Sequence, residues 1–160
     1  MVKITVACVG KIKEKFFSDA ISEYAKRLKR YCVFSIEEVK DEPMSDSPSE
    51  GEKESVLKKE ADKLFDKISD NAYVIALCIE GKKIDSKGLA DKIESQMRSG
   101  KSEIVFVIGG SLGLDERIKK RADFSLSFSD MTFPHQLMRV ILSEQIYRAF
   151  TISNGGKYHK

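Results

Sequence analysis

The sequence predicts a single α/β domain spanning residues 1–160, a mostly parallel sheet with helices on both faces. Strand-like and helix-like patterns alternate five times along the chain. Two strand candidates, "AYVIALCI" (72–79) and "EIVFVI" (103–108), are apolar almost throughout, as strands covered on both faces of a parallel sheet are. No internal repeat and no linker-like stretch divides the chain.

Val2–Val9 alternates around Ile4, Val6 and Cys8 and is stopped by Gly10. Residues 14–30 bring Phe17, Ala20, Ile21, Tyr24 and Leu28 onto one helical face, and "VFSIEEV" (33–39) is a second strand. The polar, Pro/Ser-rich run 41–51 reads as a surface loop. Ser49 with Glu52 forms a capping-box pattern, before a helix that turns Leu57, Ala61, Leu64, Phe65 and Ile68 inward. "EGK" (80–82) ends the third strand, and Ser86 caps a helix with Leu89, Ile93 and Met97 inward. After the fourth strand, Glu103–Ile108, comes a helix with Asp115 and Glu116 in its first turn and Lys119, Lys120 and Arg121 in its last, matching the helix dipole. "DFSLSF" (123–128) is the fifth strand. Pro134 opens a final helix that runs to about Phe150, before Asn154-Gly155-Gly156.

Composition narrows the function classes. With 41% hydrophobic and 33% charged residues the chain reads as globular rather than disordered. No run approaches the ~20 apolar residues of a membrane span, and the N-terminus enters a strand pattern directly without a signal-peptide pattern, so a cytoplasmic protein is expected. Cys8, Cys32 and Cys78 form no C-x-x-C pair, and Cys8 and Cys78 lie in apolar strand patterns, so they are expected to be packing residues and no metal site is expected. The net charge of +3 is unevenly spread: residues 1–33 carry eight Lys/Arg against three Asp/Glu, residues 34–54 two against eight. The basic end, with Lys11, Lys13, Lys15, Lys26, Arg27, Lys29 and Arg30, is either a solvated face or a surface for a polyanion.

The chemistry points to "IGGSLGL" (108–114), between the fourth strand and the next helix. Its Gly109-Gly110-x-x-Gly113 spacing is not the G-x-G-x-x-G of a dinucleotide site, and it lacks the G-K-[ST] of a phosphate loop. Asp115 and Glu116 would repel a phosphate. The spacing serves either a tight turn alone or an uncharged ligand, such as a nucleoside, against backbone groups. "FSDMTFPH" (128–135) likewise follows a strand and leads into a helix, which Thr132 could cap. Ligands in open α/β sheets gather beyond the carboxyl ends of strands, so Leu77–Lys82, Gly109–Gly113 and Phe128–Pro134 can share one pocket. The last helix is apolar from Leu137 to Phe150 except at Arg139, Ser143, Glu144, Gln145 and Arg148, too wide an arc for one sheet to cover, and a homodimer is expected.

Together "VIALCIEGK", "FVIGGSLGL", "SFSDMTFPHQLMRVILSEQIYRAF", the opening "CVGKIKEKFF" and the tail "KYHK" resemble the ribosomal RNA large-subunit methyltransferase H family of the SPOUT superfamily over essentially the whole chain. The resemblance implies a homodimeric enzyme that binds S-adenosylmethionine and methylates N3 of a pseudouridine in 23S ribosomal RNA of the assembled ribosome. It also implies a trefoil knot in the C-terminal half. The family's cofactor contacts carry over to Leu77, Gly109, Phe128, Ser129, Asp130, Met131, Thr132 and Phe133. Leu112 departs from the polar residue common at that position. A side chain at Gly109 is expected to enter the adenosine site without disturbing the fold.

The N3 proton must leave during transfer, and His135, beside the pocket loop, is the candidate base or else a structural helix-start residue. Arg139, one turn on, would steady RNA phosphate or the developing oxygen charge, or form an interface salt bridge. Tyr158 and His159 lie on a tail that would ordinarily fray; the resemblance implies that it folds toward an active site, of its own or the partner subunit. Two rival readings are an RNA-binding module without activity and a nucleotide-dependent oxidoreductase, the latter disfavoured by the failed fingerprint.

Overall fold

Five strands and five helices alternate in a computed structural model that describes all residues 1–160. They are β1 (Lys3–Val9), α1 (Lys15–Leu28), β2 (Val33–Val39), α2 (Glu50–Phe65), β3 (Tyr73–Lys83), α3 (Ser86–Arg98), β4 (Glu103–Ile108), α4 (Glu116–Arg121), β5 (Phe124–Ser127) and α5 (His135–Ser153). The sheet has the order β2-β1-β4-β3-β5, and every pairing is parallel. One sheet face, with Ile4, Val6, Ile75, Ile104 and Phe106, packs against Leu28 of α1, Leu89 and Ile93 of α3, and Leu142, Ile146 and Phe150 of α5. The other, with Ala7, Val9, Val74, Val105 and Val107, packs against Ala61 and Leu64 of α2 and Ile118 of α4. Each fully buried aliphatic side chain contributes roughly 1.5–3 kcal/mol, which is why the near-continuous apolar strands take the central positions.

Several expectations are corrected at element ends. β3 does not stop at "EGK" but continues to Lys83, because Gly81 sits within the strand rather than in a turn. A Cβ at Gly81 would lie 2.8 Å from the backbone of Ser125 and Leu126, so its absence lets β5 approach. The register against β5 slips here: Leu126 pairs first with Leu77 and then with Lys82, and the residues between bulge out. The cap of α3 is Asp85, whose carboxylate accepts the Gly88 N–H at 2.7 Å, leaving the Ser86 hydroxyl to donate to Gln145. Met97 is exposed. The Ser49 hydroxyl accepts the Glu52 N–H, but the Glu52 carboxylate reaches Ser45 instead of returning to Ser49, so only half of the capping box forms. In α2, Val56 and Glu60 are buried where Leu57 is only half-buried.

On α5 the polar positions Arg139 and Ser143 are as enclosed as the apolar Leu142 and Ile146, all at 0% exposure. Leu137, Val140, Ile141, Glu144 and Arg148 instead form a second stripe at helical spacing that stays half-exposed.

Candidate active site

The carboxyl ends of β4, β3 and β5 lie side by side, and beyond them opens a cavity of about 410 Å3. Its walls come from the end of β3 and its bulge, the glycine turn after β4, the loop after β5, and the first residues of α5. The glycine turn is closed by the Gly113 N–H donating to the Gly110 carbonyl at 3.0 Å, with Gly113 at φ +79°, a conformation that favours glycine. Gly109 is required by this turn itself. A Cβ there would collide with the Gly113 carbonyl, inside the loop's own backbone, so the expectation that a side chain at 109 would leave the fold intact is corrected.

In the next loop, the Ser129 hydroxyl accepts the Met131 N–H at 3.0 Å, and the Ser127 hydroxyl donates to the Ser129 carbonyl at 3.1 Å. These bonds shape the turn over the cavity. Thr132 does not cap α5; Pro134 takes the cap position without a side-chain bond. His135 follows on the cavity wall. Burial, and then the Arg139 charge, hold its imidazole below the ordinary value of 6.5 and therefore neutral at physiological pH. Two charged side chains also line the cavity: Glu80 on the β3 bulge and Lys119 on α4 form an ion pair, and Lys119 pairs with Glu116 at 3.3 Å. Its lysine partner holds Glu80 below the usual carboxylate range.

A family model described as "Predicted SPOUT methyltransferase" matches residues 2–159. The chain belongs to the SPOUT methyltransferase family. It is 56% identical over 157 residues to the "Putative ribosomal RNA large subunit methyltransferase H" of Methanococcus maripaludis, covering 98% of this chain and 99% of that one. It is 56% identical over 158 residues to the ribosomal RNA large subunit methyltransferase H of Bifidobacterium adolescentis, covering 99% of each. Two solved structures share the fold: a probable methylase family protein from Haemophilus influenzae (TM-score 0.54, 17% identity, 99% of this chain and 70% of that one) and the tRNA (m1G37) methyltransferase from Aquifex aeolicus (TM-score 0.53, 16% identity, 92% and 69%).

In this SPOUT methyltransferase, Leu77, Gly109, Phe128, Ser129, Met131, Thr132, Phe133 and His135 all line the one cavity. Four other candidates do not. Asp130 turns outward to an exposed ion pair with Lys83 at 2.6 Å. Arg139 is buried beneath the β1–α1 loop, where its guanidinium donates to the Val9 and Gly10 carbonyls at 2.7 and 2.9 Å and to Glu38 at 2.9 Å. Tyr158 and His159 lie on the outer side of α5: the phenol donates to Glu144 at 3.0 Å, its ring meets Tyr147 edge-on, and His159 contacts Arg148. Burial and the Glu144 bond push the Tyr158 phenol up to about 12, so it stays a donor. The sequence reading counts Lys119 only as a helix-dipole residue, and Glu80 only within the pocket stretch Leu77–Lys82, without a partner. Nothing local in the chain signals that they face each other.

Proposed function

We propose that the protein transfers a methyl group from S-adenosylmethionine to N3 of a pseudouridine in 23S ribosomal RNA on the assembled ribosome. On this reading it works in the cytoplasm as a homodimer with a knotted C-terminal half. What carries the reading is the cavity at three adjacent strand ends, in a chain whose relatives bear the name of a large-subunit ribosomal RNA methyltransferase.

The residues present fit the cofactor. A cavity of about 410 Å3 is within the range of small-molecule sites. Its two lining charges, Glu80 and Lys119, offset each other, and its imidazole is neutral, so no unpaired cation confronts a sulfonium. Leu77, Gly109 and Phe128–Phe133 would hold the adenosine and methionine parts, with Asp130 contributing backbone rather than a wall. When bound, S-adenosylmethionine supplies an activated methyl group. The chain's own residues must hold the uracil ring with N3 in line, and such positioning supplies on the order of 7–11 kcal/mol of a barrier. On this reading His135, on the cavity wall, takes the N3 proton, since its neutral form has a free lone pair. Arg139, one turn deeper, acts through position rather than contact.

The half-exposed stripe Leu137, Val140 and Ile141 supports the homodimer, and the tail, which lies away from its own chain's cavity, is then available to a partner's site. The test is calorimetric titration with S-adenosylmethionine, followed by methyl incorporation into undermethylated ribosomes with the product base identified by mass spectrometry. Micromolar binding and N3-methylpseudouridine are expected. RNA binding without cofactor binding would favour a non-catalytic module.

A further inference from the structure

Between β1 and α1, residues 10–14 have no helix or strand structure of their own, yet they are held from several directions. The Gly10 N–H donates to the Val39 carbonyl at 2.7 Å. Arg139, fully buried, donates to the Val9 and Gly10 carbonyls, and the Glu38 oxygen that takes its other nitrogen also accepts the Ile12 N–H at 2.8 Å. The Lys13 N–H donates to the side chain of Gln136 at 3.0 Å. Burying a guanidinium is costly unless its bonds are well made; here Nε has no partner, and the bonds of Nη1 and Nη2 all go to the end of β1, to this loop, or to the carboxylate that also holds it. The loop is thereby fastened to the first turn of α5, beside His135. Lys13 is close enough for its charge to act on that imidazole.

What the loop presents to solvent is unusual for this molecule. Lys11 and Lys13 are exposed and have no acidic partner within ion-pair distance, whereas Lys15 pairs with Asp19 at 2.7 Å. Phe16 is 64% exposed, with its ring resting on the edge of Phe17 at 4.5 Å between centroids. The two arginines at the other end of α1 are more engaged, while Lys26 and Lys29 there are exposed lysines with no exposed aromatic ring like Phe16 beside them. Arg27 pairs with Glu23 and lies over the rings of Tyr24 and Tyr147, and Arg30 lies over Tyr31. Uncompensated lysines beside an exposed aromatic ring are the combination that tracks a phosphate backbone and stacks an unpaired base.

We propose that Lys11, Lys13 and Phe16 form the RNA-docking edge of the active site, the lysines on backbone phosphates flanking the target nucleotide and Phe16 on an adjacent unpaired base, with Arg139 and Glu38 as the positioning pair that holds them there. This rests on the reading of the chain as an RNA methyltransferase. Rigid attachment to the element carrying His135 gives the contact its purpose: it registers the RNA against the cavity rather than merely attracting it.

The experiment measures equilibrium binding to undermethylated large ribosomal subunits over a salt series, for the full-length protein and for Lys11→Gln/Lys13→Gln, Lys11→Arg/Lys13→Arg and Phe16→Ala. Cofactor affinity and thermal unfolding are followed on the same samples. The double Gln variant is expected to flatten the log–log salt slope by about 1.4–1.8, from about 0.7–0.9 per phosphate contact, and the double Arg variant to restore it. Phe16→Ala is expected to weaken binding roughly 5- to 150-fold with little change in slope. The KM for subunits should rise by the same factors. Unchanged binding and slope would overturn the proposal. So would a loss shared with cofactor affinity or melting temperature, which would make the loop structural only. A full-length protein that neither binds S-adenosylmethionine nor methylates subunits would instead overturn the parent reading.

Discussion

Gly109 shows how a residue lining a cavity can be demanded by the fold first. Its missing Cβ makes room for the Gly113 carbonyl, so Gly109→Ala overpacks the turn before any ligand arrives. Denaturant unfolding should report a loss of about 1–3 kcal/mol, together with weakened binding of S-adenosylmethionine. A variant of unchanged stability would mean that the turn relaxes freely. His135 makes a different kind of prediction. Burial and the neighbouring Arg139 hold its folded value below 6.5, so the unfolded chain binds the extra proton first as pH falls. Stability from this group is therefore fully present above 6.5 and is lost as pH drops through the folded value. If the neutral imidazole takes the N3 proton, kcat/KM should rise along a limb centred below 6.5 and then level off as far as this group is concerned. A limb centred at or above 6.5 in the pH–rate profile would remove His135 from the proton path.

At the scale of elements, the C-terminal tail is the segment whose structure most changes its meaning. Residues after Gly156 are not left to fray: Tyr158 is held by Glu144, packs on Tyr147, and lies under the Arg148 guanidinium at 4.7 Å. These contacts are on α5 and involve none of the residues lining the cavity of the same chain, so removing them leaves the walls around Gly109 and Phe128 untouched. Deleting residues 157–160 is expected to abolish methyl transfer while changing cofactor affinity less than threefold and stability by about 1 kcal/mol. Methyl incorporation measured beside calorimetry decides it, since a truncated protein with full activity would show that the tail has no part in the reaction.

For the whole molecule, the question is what covers the outer stripe of α5. Its inner stripe, with Leu142, Ile146, Ala149 and Phe150, is buried on the sheet, while Leu137, Val140 and Ile141 remain half-exposed. A second copy placing the same stripe against it would bury both, as two-fold dimers do. Sedimentation equilibrium should then give twice the 18.1 kDa chain mass, and Ile141→Glu should shift the protein to monomers, because an unpaired carboxylate would be desolvated at the contact. A monomeric wild-type protein at micromolar concentration would refute this arrangement.

Much of this was legible in the chain itself because it rests on local periodicity. The apolar runs 72–79 and 103–108 announced central parallel strands, and the glycine turn and the loop 128–133, each following a strand, announced one pocket at the strand ends. Those inferences need only the two-residue and 3.6-residue repeats and the rule that parallel strands end on the same side. Other features depend on which elements meet, and periodicity carries no such information. Gly81 reads as a turn until β5 is seen lying against its Cα. Arg139 reads as an active-site or interface cation until the β1–α1 loop is seen closing over it. Glu80 and Lys119, 39 residues apart in the sequence, become a pair only because the β3 bulge and α4 fold to the same rim of the cavity. The sequence by itself determined the order of the elements and the end of the sheet where the cavity opens. The tertiary structure decided which side chains face the cavity, since burial and charge pairing arise from contacts between segments that no local pattern encodes.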